Sequence, residues 1–302
     1  MAEQDTGPLL AATVIARPGD TQSRDVALKR LGAALTATAS AELLGPEAGV
    51  LMVWADSPGA ARAAARDAVS GLPVDVAVEA AEARRKRLFI ADMDSTMIGQ
   101  ECIDELAAEL GIREHIAAIT ERAMRGEIAF EPALRERVGL LRGLSAAVVD
   151  QVIAGRITLT PGARTAVQTM RAHGTYCALV SGGFTLFTGP IAAMIGFDEH
   201  TSNTLIVEGG KLAGAVAEPI LGREAKRRRL EELLVAKGID RAASLAIGDG
   251  ANDLDMLAGS GLSVAFRAKP AVADAADFRL DHADLTALLY IQGYRSNDFV
   301  QG

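Results

Sequence analysis

The chain has 302 residues, 49% of them hydrophobic and 23% charged, with a formal net charge of −8. That is enough apolar material for a sizeable core, and enough length for two domains or for one large domain with an insertion. The acidic balance argues against a nucleic-acid surface, and the two basic clusters, Arg84 to Arg87 and Lys226 to Arg229, are short and flanked by acids, as on a solvated face.

The first segment reads as a unit of its own. Leu10 to Ala16 is strand-like and Asp25 to Leu35 helical. Short strands follow near Ala41 to Leu44 and Val50 to Trp54, then a helix over Ala60 to Val69 and a strand over Val74 to Val78. The order β-α-β-β-α-β predicts a ferredoxin-like α+β domain over residues 1–84, with Glu82 to Arg87 as linker. From residue 85 to 302 the pattern changes. Four apolar segments end in polar or glycine-rich turns: Leu88 to Asp92, Tyr176 to Ser181, Ser244 to Asp249 and Leu262 to Phe266. Helical segments separate them, which predicts a Rossmann-like α/β core with a parallel sheet. Asn203 to Val216 reads as a hairpin turning at Gly209-Gly210. Between the first two strands lie about four amphipathic helices: Cys102 to Leu110, Glu114 to Met124, Pro132 to Leu141 and Ala146 to Ala154. They predict a small helical cap inserted at about 98–157.

Cys102 and Cys177 are the only cysteines, which suggests a reducing compartment and gives no disulfide framework. The opening residues carry acids where a signal peptide would carry lysines. Gly174 to Phe197 holds no charged residue, but Ser181-Gly182-Gly183, three threonines and Pro190 interrupt it, so a strand, a turn and a buried helix are expected instead of a membrane span. A cytoplasmic protein without membrane or nucleic-acid partners is expected. A homodimer is compatible with the sequence, which does not set the oligomeric state.

In an open parallel sheet, ligands bind beyond the carboxyl ends of the strands. The strand ends here supply Asp92 and Asp94, then Ser181-Gly182-Gly183, then Asp249 with Asn252 and Asp253; Lys226 sits on the helix before the last of these. Acids gathered so closely would repel unless a cation sat among them. Oxygen ligands with no His or Cys cluster favour a hard ion, Mg²⁺. The lysine and the turn amides are left for an anion, and phosphate fits. Taken singly each feature has a plainer reading: two acids in a solvated turn, a glycine turn, a surface lysine. Their order and strand contexts are what make the set specific.

The stretches "DMDST", "SGG", the later lysine and "GDGAND" resemble the four motifs of the haloacid dehalogenase superfamily of phosphotransferases. The likeness runs from about Arg87 to Leu289 and includes the cap. It implies hydrolysis of O-phospho-L-serine to L-serine and phosphate with Mg²⁺, the last step of serine biosynthesis. By resemblance Asp92 is the nucleophile that becomes an aspartyl phosphate, and Asp94 the general acid and then base. Mg²⁺ is held by the Asp92 carboxylate, the Asp94 backbone carbonyl and Asp249, with Asp253 steadying its shell. Ser181, the Gly182 N–H and Lys226 hold the phosphoryl oxygens, and Asn252 orients the substrate. In the cap, Arg137 takes the substrate carboxylate and Glu101 its ammonium, while Met124 and Phe130 close over the site. Without the likeness, Glu101 reads as a helix N-terminal acid, Arg137 as a surface arginine, and Met124 and Phe130 as packing residues. Residues 1–84 are similar in kind to small regulatory-type (ACT-like) domains.

Other phosphate and metal chemistries fit poorly. A cysteine-dependent phosphatase needs an arginine where Gly183 follows Cys177, and a calcium loop starting at Asp92 needs a glycine and an acid where Met97 and Ile103 stand. Two readings remain beside hydrolysis: transfer of the phosphoryl group to another amino-acid hydroxyl, and an amino-acid sensor in which the N-terminal unit does the work.

Overall fold

A computed structural model describes residues 7–37, 39–82, 84–124 and 127–301, the Met124 side chain excepted. The first unit runs β1 (Leu9–Ala16), α1 (Thr21–Ala34), β2 (Glu42–Leu43), β3 (Ala48–Trp54), α2 (Pro58–Ala68) and β4 (Val74–Ala80). Its strands form an antiparallel sheet in the order β2-β3-β1-β4. Asp20 caps α1 by accepting from the Ser23 N–H at 3.0 Å, and Ser57 with Pro58 starts α2. Side chains alternate across the pleat. Leu10, Ala12 and Val14 face the two helices, whereas Ala11 and Ile15 join Val50 and Ala77 against the rest of the chain.

The second unit begins with β5 (Leu88–Ala91) and a tight turn over Met93–Met97, then the inserted helices α3 (Cys102–Glu109), α4 (Arg113–Met124), α5 (Phe130–Leu140) and α6 (Val148–Gly155). The chain enters and leaves this insertion side by side: Ile98 bridges Leu159, and the Thr160 N–H donates to Met97 O at 3.0 Å. There follow α7 (Ala163–Ala172), β6 (Tyr176–Phe184), α8 (Thr185–Ile195), β7 (Glu199–Asn203), the hairpin β8 (Leu205–Glu208) and β9 (Lys211–Val216), and α9 (Arg223–Lys237). The chain closes with β10 (Ser244–Gly248), α10 (Leu254–Gly259), β11 (Leu262–Phe266), α11 (Pro270–Ala275), β12 (Phe278–Leu280) and α12 (Ala287–Ile291).

A six-stranded sheet, parallel throughout, has the order β12-β11-β10-β5-β6-β7. It is buried on both faces: Phe89, Ala91, Leu245 and Ile247 point to one core, Leu88, Ile90 and Ala246 to the other. That double burial is why these strands read as unbroken apolar runs. The hairpin turns at Gly209-Gly210, both with positive φ (55° and 76°), as a two-residue turn matched to strand twist requires. Among the described residues no helix is long and apolar enough to cross a membrane.

Two expectations need correction. Ser181-Gly182-Gly183 does not turn: β6 runs on to Phe184, with its register against β7 shifting between Val180 and Phe184. The sheet also gains two edge strands, β7 and β12. The first is the polar run Glu199–Asn203, which carries no apolar signal because it lies at the sheet's edge.

Candidate active site

The central strands β5 and β10 end side by side, since Ile247 pairs with Ala91 and the Asp92 N–H donates to Ile247 O at 3.1 Å. This places Asp92 and Asp249 at the same edge. Asp253 comes in from the turn after β10. Its Oδ2 accepts from the N–H groups of Asp249 (3.2 Å) and Gly250 (3.1 Å), and its Oδ1 from Lys226 Nζ at 2.7 Å. Carboxylate oxygens of Asp92, Asp249 and Asp253 lie within 4.8 Å of one another. Gly248 makes this possible, because a Cβ there would strike the Asp253 carboxyl group.

Lys226, 2% exposed, reaches across from α9 to touch Asp92 Oδ1 at 2.8 Å as well. Burial disfavours its charge, but Asp253 and Asp92 outweigh that, and the ammonium is held protonated. One cation does not balance the carboxylates around it. Burial, then the neighbouring Asp253 charge, pushes Asp92 well above the usual carboxylate range and Asp249 up to about 6. Three carboxylates, Asp92 and Asp253 buried and Asp249 half-buried, with excess negative charge and no His or Cys among them, fit a hard divalent cation.

Asp94 lies in the turn after β5, where Ser95 takes a left-handed φ of 56° and sends the chain toward the cap. Its Oδ1 accepts from the Cys102 N–H at 2.9 Å and its Oδ2 from Ser181 Oγ at 3.2 Å. Burial raises its pKa against those two bonds. Ser181 Oγ also accepts from the Gly183 N–H at 2.8 Å. A Cβ on Gly183 would sit 2.9 Å from Asp94 Oδ2, so a glycine here lets the backbone lie against the acid.

The inserted helices and their flanks contribute unevenly. Glu101 accepts from Ser95 Oγ at 2.6 Å, and burial with the nearby Asp94 charge lifts its pKa to about 7. Arg137 donates to Ala133 O and Thr120 Oγ1, each at 3.2 Å, and feels the charges of Asp104 and Glu101 without an ion pair to either among the described contacts. Phe130, 38% exposed, stands over both Gly182 (3.9 Å from a would-be Cβ) and Gly222 (3.3 Å). The Met124 side chain lies outside the described residues. Asn252 folds back toward Gly250 in the turn after β10.

The strand-end residues expected from the sequence thus meet at one edge, with two differences. Lys226 is engaged by two carboxylates, and Asp253 belongs to the acid cluster itself. Sequence reasoning gave no role to Thr96, whose Oγ1 donates to Asp249 Oδ1 at 3.2 Å, nor to Gly248. Thr96 lies in "DMDST" and Gly248 in "GDGAND", and the glycine directly before Asp249 is the signal the sequence carries.

The family model of haloacid dehalogenase-like hydrolases matches residues 89–258, more than half of the chain and the region that carries every strand-end residue above. The chain belongs to the haloacid dehalogenase-like hydrolases. Within this family it is 44% identical over 234 residues to a phosphoserine phosphatase of Streptomyces coelicolor, covering 77% of this chain and 57% of that protein. It thus spans little more than half the length of that relative. A solved haloacid dehalogenase hydrolase from Salmonella enterica serovar Typhi superposes with a TM-score of 0.85 at 29% identity, over 94% of this chain and 98% of that one. A phosphoserine phosphatase solved as a phospho-aspartyl intermediate analogue is 40% identical, with a TM-score of 0.64 over 68% of this chain and 98% of its own.

Proposed function

We propose that this hydrolase cleaves O-phospho-L-serine to L-serine and phosphate through an aspartyl-phosphate intermediate. The observation that carries this reading is the meeting of Asp92 and Asp94, from one strand end, with Ser181 and Lys226. An Asp92 carboxylate oxygen attacks phosphorus as the bond to the serine oxygen breaks, and Asp94 gives that oxygen its proton. A water molecule then attacks the aspartyl phosphate, Asp94 takes its proton, and phosphate leaves with Asp92 restored. The raised pKa of Asp94 suits a group that must begin as an acid. Lys226, Ser181 and the Gly182 backbone face the phosphoryl oxygens as charge spreads over them.

Mg²⁺ is the cation we assign to Asp92, Asp249 and the Asp94 carbonyl, buttressed by Asp253; bound there, it would neutralise charge on the phosphoryl group. Glu101 and Arg137 address the substrate's ammonium and carboxylate, Met124 and Phe130 close the cap, and Asn252 orients the ligand. Residues 1–84 are read as a regulatory-type domain, 85–302 as the catalytic part with its cap at 98–157, and the cytoplasm as the site of action. The test is phosphate release from phosphoserine, phosphothreonine and sugar phosphates, with Mg²⁺ and with chelator, and with and without an acceptor alcohol. Fast release from phosphoserine that stops with chelator is expected. Equal rates on sugar phosphates would sink the substrate assignment, and transfer to the alcohol in place of release would favour the phosphotransferase reading.

A further inference from the structure

Asn203 ends the edge strand β7, is 1% exposed, and spends its amide on two separate parts of the site. Its Nδ2 donates to Gly182 O at 2.8 Å and to Leu221 O at 3.2 Å, and its Oδ1 accepts from the Leu221 N–H at 2.7 Å. Two carbonyls and one N–H around the group fix which end of the amide is which.

The reason lies in the ladder. Val180 pairs with Thr201 and Phe184 with Asn203, so four steps along β6 answer two along β7. Ser181–Gly183 is therefore a bulge that arches away from its neighbour, and residues within a bulge lose regular ladder partners. The Asn203 side chain reaches into the gap and takes up the Gly182 carbonyl. The same amide pairs with Leu221 through both a donor and an acceptor, as a neighbouring strand would. Leu221 directly precedes Gly222, the N-cap of α9, and Lys226 lies on the first turns of that helix. One buried amide thus joins the arch bearing Ser181 to the start of the helix bearing Lys226, beneath the two glycines that Phe130 covers.

We infer that Asn203 is a positioning residue that sets the spacing between the two phosphoryl-binding elements, the Ser181–Gly183 arch and the Lys226 helix. This rests on the proposed phosphate chemistry of the site and does not depend on which phosphate ester is the substrate. No apolar residue of the same size can do the work, because three backbone groups need partners. An aspartate would turn acceptors toward two carbonyls.

The experiment compares the full-length protein with Asn203→Ala, Asn203→Ser and Asn203→Asp, each checked for folding by melting and circular dichroism. Binding of inorganic phosphate in the presence of Mg²⁺ is titrated, and kcat and KM are measured for phosphoserine and p-nitrophenyl phosphate. Folded variants should bind phosphate about 10-fold more weakly or worse, the loss expected when one charge-assisted contact is misplaced. They should lose kcat by a similar factor on both esters, with KM for phosphoserine moving less than kcat, since the cap contacts are untouched. A folded variant whose phosphate affinity and kcat stay within about 2-fold of the parent overturns the inference, the change being smaller than one such contact. Failure of all three variants to fold overturns it too, by making Asn203 a determinant of the fold. A parent chain that binds phosphate but leaves phosphoserine intact would refute only the substrate assignment, and the phosphate titration would still decide for or against Asn203.

Discussion

Lys226 Nζ lies 2.8 Å from Asp92 and 2.7 Å from Asp253, so one buried cation joins the end of β5 to the turn after β10. The ammonium that holds the Asp92 carboxylate also holds that of Asp253, two acids that would otherwise repel. If the proposed mechanism holds, catalytic geometry and local stability are one problem at this edge of the sheet.

Removing that lysine should expose the conflict. Lys226→Ala leaves buried carboxylates without their counter-charge, a change that costs about 3–5 kcal/mol. Thermal melting should fall accordingly, and added Mg²⁺ should recover more stability in the variant than in the parent. If Mg²⁺ shifted both melting temperatures equally, the acids would not be sharing their charge balance with the lysine.

The metal-free protein should show the imbalance through pH. Asp249 has its pKa raised to about 6 in the folded chain, above the usual 3.8, so folding favours its protonated form. Its stabilising contribution is present below the ordinary value and is lost as pH rises through about 6. With chelator, stability should decline between the ordinary value and about pH 6 by about 3 kcal/mol from this group alone. Saturating Mg²⁺ should remove the decline, since a ligand at ~100 times its Kd adds about 2.7 kcal/mol. A chelated protein that grew more stable over the same pH range would contradict the assignment of these acids.

The two aspartates of the first strand should fail differently. Asp92→Asn should abolish formation of the phosphoenzyme. Asp94→Asn should leave the first attack possible but slow both the departure of serine and hydrolysis of the intermediate, by roughly 10²- to 10⁴-fold. Rapid-quench trapping of phosphoenzyme separates the two variants, and near-normal turnover by Asp92→Asn would end the covalent mechanism.

Much of this arrangement is legible in the sequence. Strands whose two faces are both buried announce themselves as apolar runs, and their polar ends then point to the site, which is how Asp92, Asp94 and Asp249 stand out. What stayed hidden depends on contacts distant in sequence. Asn203 sits in a polar edge strand with no periodicity to mark it, and its partner Gly182 is 21 residues away. Asp75 looks like any strand acid, yet its carboxylate accepts from the N–H groups of Asp281, His282 and Ala283, more than 200 residues on. Glycine runs mislead for a related reason. "SGG" has the composition of a turn, and only the neighbouring strand shows that it is a bulge.

In the proposed reaction, selectivity for phosphoserine should reside in Glu101 and Arg137, because there the strand-end groups address only a phosphoryl group and would serve any small ester. Arg137 carries a planar fork able to pair with a carboxylate through two bonds, and its present partners, Ala133 O and Thr120 Oγ1, hold the guanidinium without neutralising it. Each charge-assisted contact contributes about 1.5–3 kcal/mol, or on the order of 10- to 150-fold. Arg137→Ala should lower kcat/KM for phosphoserine by that factor and leave p-nitrophenyl phosphate, which has no carboxylate, nearly unchanged. Glu101 adds a pH signature. Only its ionised form attracts an ammonium, and its pKa is lifted to about 7 by burial and by Asp94. As pH falls through about 7 the free protein loses that charge, so kcat/KM for phosphoserine should drop, approaching ~10-fold per unit below it. The same profile for p-nitrophenyl phosphate should lack this limb, and Glu101→Gln should erase it for phosphoserine at a lower overall rate. Equal losses on both substrates in Arg137→Ala, or an unchanged pH limb in Glu101→Gln, would mean that these side chains support the cap's fold and that recognition of the amino acid lies elsewhere.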